Sequence, residues 1–393
     1  MIPKIYHFTN ISVDYRKALW STLFQSKDFE YHVFFGKNKA IGIPEINRSV
    51  PEFDEYQDRF HSLRNFWYKG KYLFWQRGVI SKCLTERPDM VILLDEFNIV
   101  SSWAAAVICR IRGIRLAFRG HGMYGNEKGL KLFLRKTFYK LADANLVYER
   151  RSKQVMIEQG FHSDRIHVVF NSLDYDQHRI LREKYKDLSK NEVFNFFDKP
   201  ELLTLFFIGR LTKVKKLDIL LNAFDRLNSE EVRANLLIIG DGPEKKSLEA
   251  IAGNLSASKN IHFYGACREE TEIGKFIATA DLCVSPGNVG LTGIHCLSYG
   301  TPVCTHSNFA LQMPEVEALE EGKSGFFFKQ DDLEDLTNKL NLWLTSPKEN
   351  RQEIRKKCYE IIDSYYNPYY QEKVMENLLK VGKPLSVEPA PSL

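Results

Sequence analysis

Twice along this chain, short β-branched and aromatic runs alternate with longer stretches of helical periodicity. This repeated alternation narrows the fold more than any other feature. IYHF, YHVFFG, DMVILLD, LAFRGHG, ANLVYE and IHVVFNSLD read as a first series of strands, with YRKALWSTLFQS and SSWAAAVICRIRG as helices between them. LLTLFFIGR, ANLLIIGDGP, NIHFYG, DLCVSP, TPVCTH and GFFF form a second series, separated by DILLNAFDRLN and KKSLEAIAGNL. Strands that alternate with helices predict parallel, doubly wound sheets. The chain therefore reads as two α/β domains, residues 1–175 and 201–365. The polar stretch 176–200 reads as their linker, 366–382 as a C-terminal helix and 383–393 as a disordered tail. Two such domains are expected to face a central cleft, with ligands beyond the strand C-termini.

Charge and cysteine usage narrow the function. A formal charge of +5 over 393 residues is too small to imply nucleic-acid binding, and no nucleic-acid fold signature accompanies it. It suits a protein that handles phosphates or touches an acidic membrane surface. The seven cysteines are scattered without a CxxC pair, which points to reduced, mostly buried thiols in a cytosolic protein rather than to a disulfide framework or a metal site. The N-terminal stretch lacks the apolar core of a signal peptide, and no segment reaches the ~20 apolar residues of a membrane span. Two basic aromatic runs, RFHSLRNFWYKGKYLFWQRG and KGLKLFLRKTFYKLA, read either as surfaces for anionic lipid or as ordinary surface helices with aromatics facing the core.

Four stretches carry candidate chemistry. In FFIGRLTKVKKLDILL, a buried strand ends in Gly209, Arg210 follows, and Lys215 precedes a helix. A guanidinium and an ammonium so placed can hold a diphosphate. Alone, the crowding of Lys213, Lys215 and Lys216 favours a solvated basic loop. LLIIGDGPEKKSLE places a tight turn, with Gly240, between strand and helix, and a plain βα turn reads the same way. In SPGNVGLTGIHCLSYGTPV, a helix starts near Leu291, so free N–H groups of Gly290, Leu291 and Thr292 and the Thr292 hydroxyl can meet phosphate or sugar oxygens. A tight turn capping a buried helix is the alternative. In FRGHGMYGNEKG, His121 follows a strand between two glycines, a position that suits either a substrate contact or a structural role.

The order and spacing of these motifs from Leu205 to Val303 resemble the retaining family-4 glycosyltransferases of the GT-B fold. GRLTKVKKLDILL, IIGDGPEKKSLE, NIHFYG, ATADLCVSP and LTGIHCLSYGTPV carry the resemblance, while the first half resembles the family only in layout, in the HG after a strand and in VVFNSLD. The resemblance implies two Rossmann-like domains and transfer of a hexosyl-type sugar with retention. The donor is a nucleotide-diphosphate sugar, UDP ahead of GDP. The acceptor is a glycan or lipid-linked molecule in surface polysaccharide biosynthesis. Arg210 and Lys215 would hold the diphosphate and stabilise the departing nucleotide. Gly209, Gly240, Gly290, Leu291 and Thr292 would line the donor, and His121 would contact its sugar. No metal and no further cofactor are implied, and the place of action is the cytoplasm, at the inner face of the membrane.

One departure stands out. The family has two glutamates eight residues apart, and here those positions are Gly287 and His295. His295 can still hydrogen-bond a ribose hydroxyl. Gly287 offers only backbone, with Asn288 beside it, and downstream Glu315 and Glu317 are candidate substitutes unless they are simply solvated. The lost glutamates also keep open a sugar-nucleotide-binding protein without catalysis, and the architecture admits a nucleotide-sugar epimerase.

Overall fold

The computed structural model describes residues 2–37, 45–68 and 73–386. These form two compact units. One runs through Asp174 and resumes at Asn367, and the other takes Tyr175–Tyr366.

In the first unit the order is β1 (Lys4–Thr9), α1 (Lys17–Gln25), β2 (Glu30–Gly36), β3 (Phe60–Tyr68), β4 (Leu73–Arg77), α2 (Val79–Thr85), β5 (Met90–Leu94), α3 (Val100–Arg112), β6 (Arg115–Gly120), α4 (Gly129–Tyr139), β7 (Ala144–Val147), α5 (Arg150–Glu158) and β8 (Ile166–Val168). The sheet order is β4-β3-β2-β1-β5-β6-β7-β8. Every neighbouring pair is parallel except β3–β4. Strands covered on both faces are buried at successive positions, and β1 and β2 are buried at all but their first residues, with His7, Thr9 and His32 among the aromatic and aliphatic side chains. The first basic aromatic run is not a surface helix. Its described residues form the antiparallel hairpin β3–β4, and exposure alternates along β3 as a two-residue period requires. Residues 69–72 of that run lie outside the described residues. The VVFNSLD segment is strand only as far as Val168, and Phe170 has a left-handed backbone, φ 50°.

The second unit contains α6 (Tyr175–Tyr185), α7 (Lys190–Val193), β9 (Leu203–Ile208), α8 (Leu217–Leu227), β10 (Ala234–Ile239), α9 (Lys245–Gly253), β11 (Ile261–Gly265), α10 (Glu270–Thr279), β12 (Leu282–Ser285), α11 (Leu291–Ser298), β13 (Val303–His306), β14 (Gly325–Phe328), α12 (Leu333–Thr345) and α13 (Lys348–Ser364). Its sheet, β11-β10-β9-β12-β13-β14, is parallel throughout.

Two boundaries differ from the sequence expectation. Residues 176–200 are not a linker but hold α6 and α7 of the second unit. Tyr175, His178, Leu181 and Tyr185 bury one face of α6, and Ser189 and Glu192 close a capping box on α7. The expected C-terminal helix is α14 (Pro368–Lys380), and it belongs to the first unit. Val374, Met375 and Leu378 join Trp20, Leu23 and Phe24 of α1 in one core, and Arg115 donates to the Leu378 carbonyl at 2.6 Å. Of the tail expected at 383–393, residues 387–393 lie outside the described residues.

Each sheet has a point where successive connections leave in opposite directions, between β1 and β5 in the first and between β9 and β12 in the second. There the loops diverge and leave a crevice beyond the strand C-termini.

Candidate functional site

At the crevice of the second unit, backbone packs directly on backbone. Gly209 ends β9 and donates to the Ile239 carbonyl at 3.0 Å. Gly240, after β10, has φ +148°, and a Cβ there would lie 1.9 Å from the Gly209 carbonyl oxygen. Only glycine fits. Gly287 shows the same constraint. Its N–H donates to the Lys215 carbonyl at 3.1 Å, and a Cβ would stand 2.0 Å from the Val214 oxygen. The turn at Lys213–Lys215 thus occupies the space that a glutamate side chain at position 287 would need. The absence of that glutamate is built into the packing of the loop.

Lys215 and the helix start meet at this loop. The Lys215 ammonium donates to Asn288, at 2.7 Å to its carbonyl and 3.1 Å to its side-chain oxygen. Burial lowers the Lys215 pKa, while Cys283 and Glu315 oppose. Arg210 is exposed beside it in sequence order, after the end of β9. α11 begins at Leu291, and the first N–H groups of a helix have no intrahelical acceptor. The Thr292 hydroxyl donates to the Ile208 carbonyl at 3.3 Å and so ties α11 to the end of β9. Glu315 and Glu317 are not solvated. Both are buried in the turn Pro314–Ala318, and the Glu315 carboxylate lies 3.9 Å from where a Cβ on Gly290 would be.

His295, one turn along α11, has its Nε2 on Glu270 Oε1 at 2.8 Å, and its ring stacks on His178 at 5.0 Å. The Tyr299 hydroxyl donates to the same Glu270 oxygen at 2.7 Å. Burial alone would raise the Glu270 pKa, but the imidazoles of His295 and His178 together hold it well below the usual carboxylate range. Sequence reasoning missed both Glu270 and His178. The signal for His178 was its place in the buried period of α6.

The crevice of the first unit is a pocket of about 140 Å³ lined by side chains, among them Asn10, Arg16, Asp95, Arg119, His121 and Tyr148. His121 follows β6, packed edge-on against Tyr148 at 5.3 Å, and burial lowers its pKa against the pull of Asp95. Asp95 is half-buried at the pocket wall. It accepts from the Gly122 N–H at 2.7 Å and from the Tyr139 hydroxyl at 3.1 Å, and burial raises its pKa. The Arg16 guanidinium donates to the Tyr148 hydroxyl at 3.0 Å. Arg119, 1% exposed, donates to Gln371 of α14. Asp95, Arg16 and Arg119 had no motif to announce them, because they come from separate places in the chain, the turn before α1 and the ends of β5 and β6.

Residues 23–177 match the family Glycosyltransferase Family 4, and residues 189–360 match Glycosyl transferases group 1. Sulfoquinovosyl transferase SQD2 of Arabidopsis thaliana is 30% identical over 171 residues, 42% of this chain and 31% of that one. Lipopolysaccharide 1,6-galactosyltransferase of Escherichia coli (strain K12) is 22% identical over 368 residues, 92% of this chain and 91% of that one. The chain spans 31% to 53% of the length of SQD2 and two further curated relatives that it matches. The crystal structure of Anabaena Alr3699/HepE in complex with UDP shares the fold, with a TM-score of 0.68 at 15% identity over 95% of this chain and 99% of that one. Each unit thus carries its own glycosyltransferase family signature, Glycosyltransferase Family 4 on the first and Glycosyl transferases group 1 on the second, and together they make up the two-domain plan of the GT-B fold.

Proposed function

We propose that this protein moves a sugar, with retention of anomeric configuration, from a nucleotide-diphosphate sugar to a glycan or lipid-linked acceptor in surface polysaccharide biosynthesis. The observation that carries this reading is the meeting of Lys215, the Gly287–Gly290 turn and the head of α11 at the switch point of the second sheet. A helix start with an adjacent half-buried ammonium suits a diphosphate. Arg210 and Lys215 neutralise the charge that builds on the leaving nucleotide, which is the task a metal performs elsewhere, so the transfer itself needs none. Gly209, Gly240, Gly290, Leu291 and Thr292 line the donor. His121 is assigned to the transferred sugar. His295 reaches the donor through its pairing with Glu270 rather than as an unengaged imidazole.

UDP is favoured over GDP because a GT-B relative is described with UDP. The acceptor class follows the lipopolysaccharide galactosyltransferase. No helix among the described residues is long and apolar enough to cross a membrane. Contact with the inner membrane face is supported by α4, where Leu130 and Phe133 are exposed beside Lys128 and Lys131.

The test is a thermal-shift series with UDP, GDP, ADP, CMP and dTDP on the wild type, Arg210→Ala and Lys215→Ala. A ligand that binds only the folded state raises its melting temperature by mass action. Stabilisation of the wild type by one diphosphate, lost in both variants, supports the reading and names the base. No response to any nucleotide refutes it. Product analysis with and without acceptor then separates transfer from epimerisation and from binding alone.

A further inference from the structure

We propose that His178, Glu270 and His295 form a binding site for a divalent transition-metal ion of the zinc type, clasping α6 to α10 and α11 within the second unit. The site shares His295 and Glu270 with the donor reading above, so an ion held there takes up the imidazole which that reading turns toward the donor; the ion itself takes no part in the transfer.

The case rests on convergence. Nε2 of His295 lies 2.8 Å from Glu270 Oε1, and Nε2 of His178 lies 3.3 Å from the same atom. All three donor atoms fall within 4.8 Å of one another. A tetrahedral ion with bonds of about 2.0–2.2 Å spaces its ligand atoms about 3.3 Å apart, so small side-chain rotations complete the geometry. Two imidazole nitrogens and one carboxylate oxygen suit zinc-type ions, whereas calcium and magnesium demand mostly oxygen. The Tyr299 hydroxyl donates to Glu270 and orients it, as outer-shell partners of metal ligands do. Side-chain exposures of 4%, 23% and 15% for His178, Glu270 and His295 make the site sheltered yet reachable.

A second histidine cluster shows what the first has that it lacks. His32 uses Nε2 toward Glu30 at 2.7 Å and Nδ1 toward His61 at 3.1 Å. Its two contacts leave opposite sides of one ring and cannot share an ion. In the second unit the donors of three different helices point at one place. The clasp also gives a physical reason for α6 to join this unit, since His178 is one of its few buried positions.

The experiment uses the full chain, stripped with a chelator and titrated with Co²⁺ and then Zn²⁺. One Co²⁺ per chain with the intense visible absorption of four-coordinate cobalt, displaced by one equivalent of Zn²⁺, is the expected result. Zn²⁺ should raise the melting temperature, and Glu270→Gln and His295→Asn should each weaken it more than about tenfold. His61→Asn, in the control cluster, should leave binding unchanged. Absence of the cobalt spectrum overturns the proposal, as does stoichiometric binding that survives in both variants. Should either variant fail to fold, the wild-type cobalt spectrum with the His61→Asn control decides alone.

Discussion

The two sheets present their switch points in different materials. In the second unit the crevice is framed by main chain packed on main chain, Gly240 against Gly209 and Gly287 against Val214, with the Lys215 ammonium and the Glu315 carboxylate set against it. In the first unit the crevice is walled by charged and aromatic side chains that pair with one another, Asp95 with Tyr139 and Arg16 with Tyr148. A main-chain wall offers N–H groups to any anion and is indifferent to what the anion carries. A wall of side chains can discriminate.

The largest effect should come from breaking the main-chain wall. Gly240→Ala places a methyl 1.9 Å from a carbonyl oxygen at a φ that side chains rarely adopt, and should cost the second unit about 3–4 kcal/mol in urea denaturation. Gly287→Glu, which restores the family's residue on paper, should abolish the nucleotide-induced thermal shift rather than strengthen it, because the Lys213–Lys215 turn must move. A stronger shift would show that the turn is not fixed.

The first unit should respond to acid. His167 on β8 is 1% exposed, and burial, reinforced by Lys153 and Arg115, pulls its pKa down from 6.5 to about 4. Its proton is taken up by the unfolded chain first. Stability is therefore full above pH 6.5, falls as pH drops toward 4 and levels below that, by about 3 kcal/mol in all. Denaturation across this range should show the loss, and His167→Gln should reduce it while the buried His7 of β1, whose pKa burial also lowers, keeps its own share.

Asp95→Ala should cost about 1–2 kcal/mol, since the Gly122 N–H loses its acceptor while the Tyr139 hydroxyl keeps the Gly122 carbonyl at 2.9 Å. Arg210→Ala sits at the other end of the scale. Arg210 is exposed, so urea denaturation of the apo protein should change by no more than about 0.5 kcal/mol while the nucleotide response disappears.

What could be read in the sequence follows the same contrast. The strands of both sheets were legible because doubly covered parallel strands are largely apolar at consecutive positions. The glycine turns were legible because close backbone approach admits one residue type. Side-chain assemblies were not, since Asp95, Arg119 and Tyr148 follow or lie at different strand ends and meet only in the folded sheet. α6 was masked because its buried positions are Tyr175, His178, Leu181 and Tyr185, a helical period with a single aliphatic residue set in a strongly charged stretch. The hairpin β3–β4 was masked because only one side of its alternation is buried. The vacancy at Gly287 was visible as a missing glutamate, but its cause, the carbonyl of Val214 lying against it, belongs to tertiary packing.

α14 has a consequence for how the chain is made. Its side chains complete the core of the unit whose strands were all translated some two hundred residues earlier, and Arg115 and Arg119 find partners on it. While the ribosome is still producing the second unit, the first has every strand of its sheet but lacks the helix that closes over α1. The second unit, contiguous from Tyr175 to Tyr366, can finish folding before the first, which reverses the usual order of vectorial folding. A nascent chain stalled before Asn367 would expose the apolar face of α1, and its first unit would be the natural client of a chaperone.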